Sequence, residues 1–193
     1  MFSVRRPDAA RVARFLADQR TAPLTYTEVG ASFDAELPAG YHHVRAGTDL
    51  GTGDAVWERA RAGISAWAAH RGAGMTVVPA DAPIVEGTTV AVLTSRGPLH
   101  VLSACRIVRV VDEPDRFGFA YGTLPPHPEE GEEHFVVSRS AEPSGNGAAV
   151  RFDVVAFSRH HDLFTKLGGP IPRRFQARAT QQYLQGMRDA VNG

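Results

Sequence analysis

The stretch LPPHPEEGEEHF, residues 124–135, concentrates the most acid–base chemistry in this chain. Pro126 and Pro128 flank His127, so both neighbouring backbones are stiff and the imidazole is confined to a narrow range of directions. Glu129, Glu130, Glu132 and Glu133 surround it with negative charge, which would raise its proton affinity and suit it to general acid or base work. The ordinary alternative is a solvated rim whose glutamates pair with Arg106, Arg109, Arg116 or Arg139 on adjacent strands. Glu132 and Glu133 open a strand and must point to opposite faces. One of them therefore faces inward, and there it needs a partner such as Arg106 or Tyr121, because an unpaired buried charge costs several kcal/mol.

The other reactive side chains carry weaker signals. The pairs His42-His43 and His160-His161, the second followed by Asp162, lack the spacing that turns two imidazoles toward one ion, so no metal site is expected; Ser158 and Asp162 read as helix caps. Cys105, the only cysteine, sits in an apolar strand where a buried thiol is inert, and it excludes an internal disulfide. GTGDAV and GAG lack the glycine spacing of nucleotide loops, and no cofactor is expected.

These groups need elements to position them. Pro7 and Asp8 start a short amphipathic helix over 7–20, followed by an irregular, Pro/Gly/Thr-rich connection. A first strand begins at Tyr41. Asp54 caps a helix in which Val56, Ala60, Ile64 and Trp67 share one face as far as about His70. Six short runs follow, at 75–79, 86–95, 99–112, 115–123, 131–140 and 147–157, separated by turn residues, which is the pattern of an antiparallel meander. Phe175, Ala179, Tyr183, Met187 and Val191 then step by four along a long C-terminal helix within a helical region over 160–191. A single α+β domain over 1–193 results, with a curved antiparallel sheet wrapped around its last helix. Gly118 and Gly122, bare between Phe117, Phe119 and Tyr121, suggest open volume beside the sheet. Phe117, Phe119, Tyr121, Phe135, Phe152, Phe157, Phe175 and Tyr183 are the aromatics expected to line it or fill it.

With 193 residues, 43% of them hydrophobic, the chain can bury a sizeable core. Its 21 basic residues balance 21 acidic ones, so no field draws it to nucleic acid or to an anionic membrane. No apolar run approaches the roughly 20 residues needed to cross a bilayer, and no export signal opens the chain. A cytoplasmic location is expected.

The segments PLTYTEVGAS, CRIVRVVDE, GFAYGTLPPHPEEGEEHFVV, VVAFSR and GGPIPRRFQARATQQYLQGM resemble, in order, the marks of a family of unknown function found in bacteria and plants, grouped with the birch-pollen-allergen and START-like superfamily. The resemblance covers Leu24 to Met187. Pro126 and the His160-His161 pair depart from the usual pattern. The resemblance implies a helix-grip fold with an internal apolar cavity and implies no particular reaction. The leading expectation is a protein that holds a small apolar or aromatic molecule between sheet and C-terminal helix. Phe119, Tyr121, Phe135, Phe152, Phe175 and Tyr183 would give apolar contact, and His127, Glu132, Glu133 and Arg106 polar contacts at the entrance. The alternative is a cofactor-independent cyclase, dehydratase or isomerase of polyketide-like or aromatic compounds. In it His127 shuttles a proton, Glu132 or Glu133 tunes it, and Tyr121 donates to a developing oxyanion. A third reading is a partner-binding module that uses the N-terminal helix.

Overall fold

The computed structural model describes residues 2–140, 147–160 and 173–193, with side chains at all of these except 96 and 173–177. A short strand β1 (Phe2–Ser3) precedes helix α1 (Ala9–Gln19), and a single 3-10 turn occupies Ala31–Phe33. Then come β2 (His42–Thr52), α2 (Asp54–Ser65), α3 (Ala68–Gly72), β3 (Met75–Val78), β4 (Thr89–Arg96), β5 (Leu99–Asp112), β6 (Arg116–Leu124), β7 (Glu129–Arg139), β8 (Ala149–His160) and α4 (Arg173–Asn192). The strands form one antiparallel sheet in the order β2-β8-β7-β6-β5-β4-β3, with β1 added to β5. Sequential hairpins generate every neighbour from β3 to β8. The first long strand closes against the last, which brings α2 and α3 under the same face as α4. This is the helix-grip fold expected from the order of elements.

The side chains sort cleanly between the two faces, as the two-residue period of a strand requires. Val90, Val92, Cys105, Ile107, Phe119, Tyr121, Phe135, Val137, Phe152 and Val154 face inward and pack with Trp57, Ile64, Trp67, Tyr183 and Met187 of the helices. Ala91, Leu93, Leu102, Ala104 and Leu124 face outward beneath Val12 and Phe15 of α1. Both faces are covered, which explains why β4, β5 and β6 read as almost continuous apolar runs. Each fully buried large side chain contributes about 1.5–3 kcal/mol by leaving water.

The helix expected to run from Asp54 to His70 is two helices. α2 starts after Gly53, with Asp54 as its first residue and no side-chain cap, and it ends at Ser65. Trp67 then takes a left-handed conformation, φ +57°, and caps α3. The break turns the indole into the core, where it is buried and donates Nε1–H to the Ala82 carbonyl at 2.9 Å. It also lets α3 lie against α4. At their contact a side chain on Gly72 would strike the Cα of Gly186, and one on Gly186 would approach Ala68 O and Gly72 Cα to 2.8 Å. Glycine at both positions permits backbone-to-backbone packing.

The glycines of β6 have a different role from the one expected. A Cβ on Gly122 would collide with the ring of Tyr26, and one on Gly118 with the backbone of Phe135 and Val136. These positions are bare because a phenol and a neighbouring strand occupy the space, so they do not mark open volume. The C-terminal helical segment expected from residue 160 onward begins, among the described residues, at Arg173; His160 still belongs to β8, and His161 and Asp162 lie outside the described residues.

Candidate functional site

Strand β7 places Glu132 and Glu133 on opposite faces, and the two carboxyls have unlike surroundings. Glu133 points inward, opposite Tyr121 on β6. Tyr121 donates its hydroxyl proton to Glu133 Oε2 at 3.1 Å, and His70 Nε2 lies 3.0 Å from the same hydroxyl. The Tyr121 hydroxyl thus bridges the Glu133 carboxyl and the His70 imidazole. Three elements, α3, β6 and β7, thus build one chain of hydrogen bonds among the inward-facing rings.

Rings enclose this chain. The centroid of His70 stands 4.7 Å from that of Phe135, 5.0 Å from Trp67, 5.2 Å from Tyr183 and 5.6 Å from Tyr121. Phe119 packs on Trp67 at 4.7 Å and Phe135 meets Tyr183 edge-on at 5.2 Å. The space beside Phe119, Phe135 and Phe152 is therefore taken by Trp67 and His70. The polar chain ends at Glu133, which is only half buried, whereas Tyr121, His70 and Tyr183 are buried. Tyr183 Oη contacts Met75 Sδ at 3.4 Å.

Burial sets the protonation of the group. Glu133 is pushed up to about 8, burial outweighing the Tyr121 hydrogen bond that favours its charged form. His70 is pushed down to about 3 by burial alone, and burial together with the nearby Glu133 carries the phenols of Tyr121 and Tyr183 well above the ordinary tyrosine value. At neutral pH every member is uncharged. The arrangement is a neutral proton-holding carboxyl backed by a phenol and an imidazole.

Glu132 does something else. It is buried on the outer face, where its Oε2 accepts from Tyr26 Oη at 2.7 Å and from Gly30 N–H at 2.7 Å, and its Oε1 from Ser32 N–H at 3.1 Å. It clasps residues 26–32 to the back of the sheet, away from Tyr121. Arg106 is likewise committed outside: its guanidinium donates to the carbonyls of Gln19, Arg20 and Ala22, at 2.8, 2.9 and 2.9 Å, and so closes the end of α1. Neither reaches the inner face, which corrects the entrance role expected of them. The inward carboxyl with a tyrosine partner is present, and the pair is Glu133 with Tyr121.

His127 is also corrected. Its Nδ1 lies 2.8 Å from Glu129 O and 3.0 Å from Glu129 N, so the ring turns back on its own loop. Burial lowers its pKa to about 4, the reverse of the rise expected from the glutamates. Glu130 pairs with Arg159 of β8. The hairpin's charges thus join neighbouring elements. Phe152 is fully buried in the inner core, Phe157 lies on the outer face against Tyr26 and Tyr41, and the side chain of Phe175 is outside the described residues. His70 and Trp67 join this cluster although the sequence pattern alone assigned them no place in a candidate site. Continuing the stripe Val56, Ala60, Ile64, Trp67 by three residues reaches His70, and that spacing was the available signal.

No helix among the described residues is long and apolar enough to cross a membrane. A groove of about 480 Å³ lies elsewhere, between α2, α3 and α4, lined by Gly63, Ala66, Gly72 and Gly186; its Arg59 and Arg71 donate to the Val191 and Ala80 carbonyls.

The chain is similar to proteins already known. A UPF0548 protein of Deinococcus radiodurans is 37% identical over 96% of this chain and 96% of its own length, and a UPF0548 protein of Dictyostelium discoideum is 27% identical over 99% and 96%. Among solved structures, hypothetical protein jhp0584 of Helicobacter pylori superposes with a TM-score of 0.54 at 8% identity, covering 86% of this chain and 95% of its own. Ara h 8.0201 superposes with 0.46 at 15%, covering 79% and 95%. The family model described as Domain of unknown function (DUF1990) matches residues 25–186, a span that includes β2 to β8 and most of α4, and the chain belongs to that family.

Proposed function

We propose that the protein binds a small, largely apolar or aromatic molecule at the Glu133 end of its inner face. The ligand's polar group meets Glu133, and its apolar body packs where the buried rings of Tyr121 and Tyr183 give way to that carboxyl. The observation that carries this reading is the His70–Tyr121–Glu133 chain: a buried polar line that leads through an aromatic core to one carboxyl on a partly buried residue. A fold needs no such line for stability, since an apolar core of equal volume is as stable or more so. Apolar walls with a few convergent polar groups are the composition of ligand sites.

Native mass spectrometry of protein purified without denaturation, joined to a fluorescence titration with N-phenyl-1-naphthylamine, tests it. A co-purifying small mass or saturable probe binding is expected, with Glu133→Ala weakening the probe by about tenfold, roughly 1.4 kcal/mol. Absence of both in the wild type, up to millimolar probe, rules the reading out.

A second reading follows from the same carboxyl. A group that holds its proton until about pH 8 is suited to general acid catalysis, so a cofactor-independent cyclase, dehydratase or isomerase would use Glu133 where His127 was first expected. In that case Glu133→Gln abolishes turnover and preserves binding.

A further inference from the structure

We infer that the corner of the fold formed by β1 and the β4–β5 hairpin docks on an anionic membrane surface: Phe2, Val4 and Leu99 enter the boundary between headgroups and acyl chains, and Arg5 and Arg6 meet the lipid phosphates.

Pairing with β5 brings the apolar members together. Phe2 stands opposite Val101 and Ser3 opposite His100. Opposite residues of an antiparallel pair project to the same side, and so do residues two apart on one strand, so Phe2, Val101 and Leu99 share one side of the sheet. Ser3 Oγ accepts from the Arg5 amide at 3.2 Å and donates to the Arg5 carbonyl at 2.7 Å, which turns the chain at Val4. Phe2, Val4 and Leu99 are 40%, 78% and 42% exposed, and only Val29 and Val85 among the described residues are other large hydrophobics this open to solvent. Apolar side chains gathered in water mark a surface that meets a partner.

The charge beside them selects that partner. Residues 2–14 hold four arginines, Arg5, Arg6, Arg11 and Arg14, against one acid, Asp8, whose Oδ1 is committed to the Arg11 amide at the start of α1. The balance of 21 basic and 21 acidic residues therefore holds for the whole chain and fails locally: this stretch is basic and the remainder is acidic, a polarity that turns the corner toward negative charge. Arg5, Arg6 and Arg14 are exposed, and none of them pairs with a carboxylate among the described residues. Arg14 lies on the side of α1 turned away from the buried Val12 and Phe15 and adds to the same field. A bilayer surface places phosphate directly above hydrocarbon and so matches guanidinium beside aliphatic side chains, whereas a nucleic acid offers Val4 and Leu99 nothing to enter. The contact is peripheral, since no helix among the described residues is long and apolar enough to cross the bilayer.

Co-sedimentation of the full chain, tagged at the C-terminus, with vesicles of palmitoyl-oleoyl phosphatidylcholine, alone or with about 30% of the phosphatidylglycerol, tests this. At about 0.1 M NaCl the protein is expected to partition about tenfold more strongly onto the anionic vesicles, and to lose most of that binding at about 0.5 M. Arg5→Gln combined with Arg6→Gln lowers the partition by about tenfold, and Phe2→Ser combined with Val4→Ser by about fivefold. Thermal melting is unchanged in both, because all four side chains are exposed. Arg59→Gln combined with Arg188→Gln, the same loss of charge on α2 and α4, keeps the partition within about threefold. Four results overturn the inference: no partition onto anionic vesicles at about 5 mM lipid, equal partition onto both kinds, full binding by the Phe2 and Val4 variant, or an equal loss in the control. Tighter binding to a DNA duplex of about 20 base pairs at the same salt overturns it too and gives the surface to nucleic acid.

Discussion

Glu132 and Glu133 are adjacent in the chain and serve opposite faces of the sheet: Glu132 accepts the Tyr26 hydroxyl outside at 2.7 Å, and Glu133 accepts the Tyr121 hydroxyl inside at 3.1 Å. A one-residue step along a strand separates a carboxylate that clasps an outer loop from a carboxyl that faces the inner core. Replacing Glu132 by Ala leaves three donors, Tyr26 Oη and the Gly30 and Ser32 amides, without their acceptor. The cost is expected at about 2–4 kcal/mol in urea unfolding. Glu133→Gln exchanges one neutral group for another of the same shape and is expected to change stability by less than about 1 kcal/mol. Equal losses for the two variants would contradict the division of roles.

The Glu133 carboxyl is expected to titrate near pH 8 by carbon NMR of glutamate-labelled protein. Tyr121→Phe removes a hydrogen bond that favours the charged form, so the titration moves higher still. The sign for stability follows from proton binding. The folded state holds this proton above pH 4.5 and the unfolded chain releases it, so the contribution of Glu133 is complete below about 4.5 and disappears as pH rises through about 8. A titration close to 4.5 rules out the neutral carboxyl.

Acid acts in the other direction through three histidines. Burial holds His70 at about 3, and His127 and His134 at about 4, whereas unfolded histidine titrates near 6.5. Their stabilisation is present above about pH 6.5 and declines as pH falls through 4 toward 3. The urea midpoint is expected to drop between pH 7 and pH 5, and His127→Asn, which can still accept from the Glu129 amide, to reduce that drop. An unchanged midpoint across this range would count against buried neutral imidazoles.

Gly186→Ala forces α4 away from α3, because its new methyl group meets Ala68 O and Gly72 Cα at 2.8 Å. A loss of about 1–3 kcal/mol is expected by thermal or urea unfolding. The same substitution at exposed Gly87, where nothing lies within 4 Å of a Cβ but φ is +87°, serves as a control for backbone strain without collision. A smaller effect at Gly186 than at Gly87 would remove the packing argument.

Arg106→Leu frees the Gln19, Arg20 and Ala22 carbonyls at the end of α1. Faster hydrogen exchange is expected at amides of α1, with the inner-face strands unaffected and probe binding at Glu133 unchanged. Loss of probe binding in this variant would restore Arg106 to the entrance.

The periodicities of the chain were enough to specify its elements and their order. Short β-branched and aromatic runs broken by turn residues, and four-residue steps from Ala179 to Val191, depend only on backbone geometry, so the meander and the last helix could be read directly. The strand parity that separates Glu132 from Glu133 was legible for the same reason. The αL turn at Trp67 was not, because an isolated stretch of AGISAWAAH favours continuing its helix; the core cavity that the indole fills exists only after β6 and β7 have assembled. Nor could local charge predict His127, whose proton affinity is lowered chiefly by burial. The sequence by itself determined which residues share a face. The tertiary structure decided which groups lose water, and so gave a proton to Glu133 through burial while tying Glu132 and Arg106 to backbone more than seventy residues away along the chain.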